Sequence, residues 1–243
     1  MKRLALLLLL PLLLLVGYYV VYPMYQVYSL VNYKQYDYNW NQKLTLQIDT
    51  PNGPVNASSI TRMGVEYYPG GLPLAGTERS YHLTGEAVAA DLGDGRYLFA
   101  LLPGNEMAEH AYWDFFGDGV SRGALLAHVR DQVGQPPRPV PADFVPLLVT
   151  FDDLSDPASV KRVDPADLAA TFGAGYALKG ITLAITDAPV TEGVVEGVLG
   201  WLGEVGRTQA NLIGKPKSGL VSDQPDPELY MISVLDFSTE LFR

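Results

Sequence analysis

The sequence predicts an α+β protein, with an N-terminal transmembrane helix followed by antiparallel β-hairpins and several short amphipathic helices. Three observations carry this. An uncharged run, LALLLLLPLLLLVGYYVV, occupies Leu4 to Val21. Two segments alternate apolar and polar residues across glycine-containing turns. Later stretches repeat apolar residues at helical spacing between capping residues and glycine stops.

Residues 1–28 form the first element, a signal anchor. Lys2 and Arg3 precede the leucine-rich run, which as a helix extends roughly 27 Å, close to the ~30 Å hydrocarbon core of a bilayer. A secretory signal peptide shares the basic start but ends in a small-x-small cleavage site. Beyond Val16 the chain reads GYYVVYPMYQVYS, where only Val27-x-Ser29 approaches that pattern. Tyr18, Tyr22 and Tyr25 fall at i, i+4 and i+7, so a helix sets them on one face as membrane-interface residues. The expectation is an uncleaved anchor with a cytoplasmic N-terminus, because Lys2 and Arg3 lie on the short side; secretion after signal cleavage is the alternative. Residues 29–42 continue the aromatic run and read as a juxtamembrane stalk. Its rings sit at the bilayer surface or pack on the domain, in preference to forming a stacking platform for sugar or peptide.

Residues 43–134 hold the hairpins and a helix pair. KLTLQID alternates, TPNGPV turns the chain, and VNASSITRMGVEYY returns it. GEAVAADL and RYLFALL make a second hairpin around Gly93-Asp94-Gly95, where glycine supplies the positive φ of a tight connection. These hairpins resemble those of exported transthyretin-like and immunoglobulin-like domains, which implies an antiparallel sheet or small sandwich. Asn105 caps NEMAEHAYWDFF, which Gly117 ends; Ser121 caps SRGALLAHVRDQV, which Gly134 stops. Residues 135–146, QPPRPVPADFVP, contain five prolines and read as an extended connector. Residues 147–243 make a second α+β half, either with its own core or sharing that of 43–134. In it PLLVTF is a buried strand, YALKGITLAIT an alternating strand and LYMISVLDF a last strand. EGVVEGVLGWLGEVG is an amphipathic helix with Val194, Val195, Val198, Leu199, Trp201, Leu202 and Val205 on one face.

Composition excludes several chemistries. The chain has 17 basic and 27 acidic residues; without Lys2 and Arg3 the body has 15 against 27, a charge of −12, which repels nucleic acid, so no nucleic-acid partner is expected. Cysteine is absent, which removes thiol nucleophiles, thiolate metal sites, disulfides and a lipid-modified cysteine anchor. No G-x-S-x-G elbow is present. GKPKSG fails as a phosphate loop, because Pro216 follows Lys215 where a hydroxyl and a helix start are required. Among the three histidines only His110 has company. Glu106, His110 and Asp114 at i, i+4 and i+8 form a hard-metal or acid–base set, competing with a solvated face of helix-stabilising pairs. His128, beside the apolar stripe of its helix, reads as structural.

The densest cluster of chemical groups is FDDLSDPASVKRVDPADLAATFG, Phe151 to Gly173, with five aspartates. An EF-hand loop from Asp152 is excluded, since Leu154, Pro157 and Val163 fall where an acid, glycine and glutamate belong. Asp152, Asp153 and Asp156 remain a candidate set for a calcium ion. The competing reading is punctuation: Asp156-Pro157 and Asp164-Pro165 match an N-cap followed by N1, with Asp167 at N3 and Gly173 as terminator.

The string DPASVKRVDPADLAATFG with LKGITLAITDAPVT is similar to a family of exported or membrane-anchored bacterial proteins with no assigned activity. That resemblance, over roughly residues 151–201, implies a bacterial envelope location and carries over no catalytic residue. The expectation is a single-pass inner-membrane protein whose periplasmic body acts by contacts with a protein partner in the envelope. The alternative is an exported enzyme, or a small-ligand or divalent-cation-binding protein.

Overall fold

The computed structural model describes residues 15–25, 36–67, 79–102, 128–208, 211–214, 216 and 219–241. Most of the expected helix pair lies outside them; residues 128–132 are helical, and Gly134 follows with φ 79°. The chain divides into two compact units, Met1–Asp37 with Val65–Ser80, and Tyr38–Gly64 with Tyr81–Arg243.

In the first unit residues 15–25 are helical, with a π-helical stretch at Gly17–Val21 in which Tyr22 N–H donates to the Gly17 carbonyl. This helix buries nothing: its large apolar side chains run from 44% exposed at Val16 to 68% at Tyr19 and Met24. The Tyr18 and Tyr22 rings stack with centroids 6.4 Å apart. Among the described residues no helix is long and apolar enough to cross a membrane; residues 1–14 of the leucine-rich run lie outside them.

The second unit is built on two antiparallel sheets. Strands β1 (Tyr36–Thr50) and β2 (Gly53–Tyr67) form the first hairpin across Pro51-Asn52, and β3 (Arg79–Thr84) follows. With β6 (Arg138–Pro139) and β9 (Ala177–Thr186) they make a five-stranded sheet of order β3-β2-β1-β9-β6. Strand β1 begins at Tyr36, inside the stretch read as stalk, and Trp40 is 4% exposed, so that ring packs on the domain. The alternation read in KLTLQID places Leu44, Leu46 and Ile48 inward. Leu44 pairs with Leu183 and Leu46 with Ile181, and a bulge between Gln47 and Ile48 adjusts the register further along. Proline lacks the ladder N–H, so Pro139 sits on the edge strand, opposite Thr182.

Strands β4 (Val88–Asp91), β5 (Tyr97–Ala100), β7 (Leu148–Phe151) and β8 (Val160–Arg162) form the second sheet in the order β4-β5-β7-β8. The β4–β5 turn needs three successive left-handed residues, Gly93, Asp94 and Gly95 at φ 85°, 55° and 72°. Two glycines remove most of that strain, and the Asp91 carboxylate accepts the Gly93 N–H at 2.8 Å. All four residues of β7 are buried because both faces of this sheet are covered. Leu98, Ala100, Val88 and Leu148 face the five-stranded sheet. Phe99, Val149 and Phe151 face a third layer of short helices and turns. Strands β7 and β9 follow the proline-rich connector, yet pair with β5 and β1 before it, so both sides share one core.

The third layer departs from the sequence reading in two places. The expected amphipathic helix over 192–206 is two, α2 (Val194–Val198) and α3 (Leu202–Thr208), following α1 (Leu168–Phe172). Leu199 leaves the helical region at φ −108°, ψ 69°, and Gly197 and Gly200 hold the helix weakly there. The break keeps Val195, Leu199 and Leu202 buried while the Trp201 indole N–H donates to the Leu154 carbonyl at 2.7 Å. The expected last strand, LYMISVLDF, is instead 3₁₀ turns at Pro227–Met231 and Val234–Asp236. Ser233 and Asp236 form a reciprocal capping box, with Ser233 N–H donating to the Asp236 carboxylate at 2.7 Å, so the backbone is satisfied locally and no ladder forms.

Phe99, Phe151 and Phe237 meet edge to face and tilted, at centroid distances of 5.7 to 5.9 Å, between the second sheet and the third layer. Replacing Phe99, 0% exposed, by alanine is expected to cost about 3 to 5 kcal/mol, read as a lower denaturant midpoint with unchanged slope.

Candidate functional site

The five aspartates of Phe151–Gly173 fold onto their own backbone. Asp156 is the N-cap of a 3₁₀ turn, Pro157–Ser159, and accepts the Ala158 N–H at 2.9 Å, as its Asp-Pro signature predicts. The second cap is displaced by three residues from its expected position. Asp164 accepts the Ala166 N–H at 2.8 Å in a turn, while Asp167 is the N-cap of α1 and accepts the Ala170 N–H at 3.0 Å. Pro165 therefore lies before the helix instead of at its first position. Asp153 accepts both the amide and the hydroxyl of Ser155, at 2.8 and 2.7 Å, and these bonds hold its carboxyl below its ordinary range. Asp152 pairs with Lys161 at 2.5 Å. Asp152, Asp153 and Asp156 thus point to three different sets of partners. Among the described residues no group of three or more histidine, aspartate or glutamate side chains is placed to hold a metal ion. Glu106, His110 and Asp114 lie outside the described residues. His128 is exposed.

The concave site lies beside this segment. An open groove of about 850 Å³ is bounded by residues 142–148, by Arg162–Pro165 at the end of β8, and by Glu228, Met231, Ile232 and Asp236 of the last turns. Backbone bonds fix its walls: Leu101 N–H donates to Leu147, Leu102 N–H to Asp236 and Val163 N–H to Leu148. Leu101 and Ile232 make an apolar floor, Phe144 and Val145 are half-buried along one side, and Met231 stands 68% exposed at the rim. Arg162 lines it together with four carboxylates, Asp143, Asp164, Glu228 and Asp236.

Arg162 is already committed. Its guanidinium grips Asp226 in a bidentate pair at 2.7 and 3.0 Å and also bonds Glu228. The Asp226 bond, followed by that to Glu228, raises the guanidinium pKa, and the same Arg162 bond holds the Asp226 carboxyl below its ordinary range. The groove therefore presents apolar surface under a net negative rim. Its polar side chains among the described lining residues are those four carboxylates and Arg162.

A second carboxylate with structural consequence gave no local signal. Glu86, 1% exposed, accepts the N–H groups of Val194 and Val195 at 3.0 and 3.1 Å and so ties the start of α2 to the sheet before β4. The Ser59 hydroxyl donates to its backbone carbonyl at 2.6 Å. Desolvation by burial raises its pKa above the ordinary 4.5, and the neighbouring Glu196 adds to the rise, against the lowering effect of the amide bonds. In sequence it is one glutamate ahead of a strand; its partners lie 108 and 109 residues away.

A group whose folded pKa is raised binds more protons folded than unfolded, so stability falls as pH rises from 4.5 toward the folded value. Urea midpoints measured upward from pH 4.5 should decline, and Glu86→Gln should flatten that decline. Asp167→Ala should cost about 1 kcal/mol, the loss of one N-cap, and the cost should be the same with calcium or with chelator. Comparison with known proteins found no matching family model, curated protein or solved structure.

Proposed function

We propose that this protein is held in a bacterial inner membrane by its N-terminal helix, with the N-terminus cytoplasmic and the body periplasmic, and that the body acts by binding a partner protein in the groove beside Arg162. The observation that supports the anchor is the helix at residues 15–25, uncharged and apolar all round, with every large side chain at least 44% exposed. A helix apolar on all faces is stable in water only when something covers it, and the sequence that precedes it is uncharged and leucine-rich back to Leu4. Tyr18, Tyr22 and Tyr25 at its end suit the headgroup region. The groove supports the second part, because an apolar floor with a charged rim is the anatomy of a protein contact.

Protease added to spheroplasts should digest the body, while inverted vesicles should protect it, and alkaline carbonate should leave the chain in the membrane pellet. An intact mass short of the first ~20–30 residues would mean signal cleavage and overturn the anchor. A photoreactive residue in place of Met231 should give a discrete crosslinked adduct in cells, where the same residue at Asp131 gives none; equal labelling from both positions would remove the groove from the account.

A further inference from the structure

The body holds a second concave site of opposite character. At the Asn39–Asn41 end of β1, where it pairs with the end of β9, a cleft of about 490 Å³ is ringed by Asn39, Asn41, Arg62, Arg130 and Asp187, with Val129 behind them. We propose that this cleft binds an organic phosphate carrying hydroxyl groups, of the glycerol phosphate class.

Arg62 is oriented from behind. The Asn41 side-chain amide donates to the Ala188 carbonyl at 2.8 Å, which turns its oxygen toward Arg62, and that oxygen accepts the Arg62 Nε–H at 3.3 Å. The two terminal nitrogens of Arg62 make no hydrogen bond among the described residues, so the outer fork of the guanidinium is presented without a partner. Arg130, from the helical turn at residues 128–132, is exposed and likewise has no ion pair among the described residues. Two other arginines differ. Arg162 holds two carboxylates and Arg96 holds Asp94 and the Tyr176 hydroxyl. In a chain with 27 acidic and 17 basic residues, acid partners are in surplus, yet the two arginines that share a cleft have no ion pair among the described residues.

Charge and size select the ligand. Guanidinium forks match the oxygen geometry of phosphate and stay charged at every physiological pH. The cleft is larger than a bare phosphate needs and falls within the range of small-molecule sites, roughly 300–1,000 Å³. Asp187 and Asn39 at the rim add acceptors, which bare phosphate dianion does not use and ligand hydroxyls do. Two sources supply this chemistry: a soluble polyol phosphate, and the headgroup of phosphatidylglycerol. The inference stands on the cleft alone and is independent of the groove and its partner.

The test uses the full chain in phosphatidylcholine nanodiscs and follows phenylglyoxal modification of Arg62, Arg130 and, as a control, Arg138 by mass spectrometry. Glycerol 3-phosphate in solution, or phosphatidylglycerol mixed into the disc, should slow modification of Arg62 and Arg130 about tenfold and leave Arg138 unchanged, a tenfold effect being that of one good charge-assisted contact. Protection by the soluble compound assigns a soluble ligand, and protection by the lipid alone assigns the bilayer. Arg130→Ala, at an exposed position, should abolish the protection of Arg62 while the melting temperature is kept. Failure of both probes to protect either arginine, slowing of Arg138 to the same extent, or undiminished protection of Arg62 in the Arg130→Ala chain would overturn the proposal.

Discussion

The central constraint on this fold is a four-stranded sheet that must be buried on both faces. Strands β4, β5, β7 and β8 are three or four residues long, too short to hold together by ladder bonds alone. Their stability comes from what covers them. One face packs on the long β1–β2 hairpin and β9, and the other on α2, α3 and the C-terminal turns through Phe99, Phe151 and Phe237. Those short elements in turn have no independent stability, since helices of five and seven residues are far below the length that persists alone. Each layer exists because its neighbour does.

Polar groups are placed to make that stacking specific. Glu86 joins the sheet to the start of α2, the Thr150 hydroxyl donates to the Tyr97 carbonyl at 2.7 Å within the buried strand β7, and Trp201 reaches Leu154 across the third layer. An unpaired carboxylate at the Glu86 position would be costly, so its two amide donors fix where α2 begins. Six of the aspartates serve the backbone: Asp91, Asp153, Asp156, Asp164, Asp167 and Asp236 all accept N–H groups within a few residues of themselves. The surface that results is uneven, with a negative rim around the Arg162 groove and, in the Arg62 cleft, two guanidinium groups that have no ion pair among the described residues.

Elements set by local chemistry were legible beforehand. The alternation of KLTLQID, the Gly93-Asp94-Gly95 turn and the unbroken apolar run PLLVTF each encode their conformation within a few residues, and each forms as read. Asp156-Pro157 also caps as its motif implies. Asp164-Pro165 carries the same motif but closes a separate turn, because Asp167 starts α1 itself and the first cap is no longer needed. The amphipathic pattern at 194–205 places Val195, Leu199 and Leu202 in the core as read, but Val194, read on the same face, is 51% exposed and the helix breaks, since period alone does not register a packing partner such as Leu154. LYMISVLDF has strand composition, and its Ser233–Asp236 box prevailed over that composition.

Local pattern was enough for the second hairpin, the net acidity and the Asp156 cap, because turns and caps depend on neighbours within about ten residues. The concave surfaces, by contrast, arise from the tertiary fold. The groove takes its walls from residues near 101, 145, 163 and 232, the cleft from positions 39, 62, 130 and 187, and Glu86 finds its amides more than a hundred residues along the chain. Sites assembled across that sequence distance leave no local pattern. The conspicuous FDDLSDPASVKRVDPADLAATFG does border the groove, through Arg162 and Asp164, while Asp152 and Asp153 are occupied by Lys161 and Ser155.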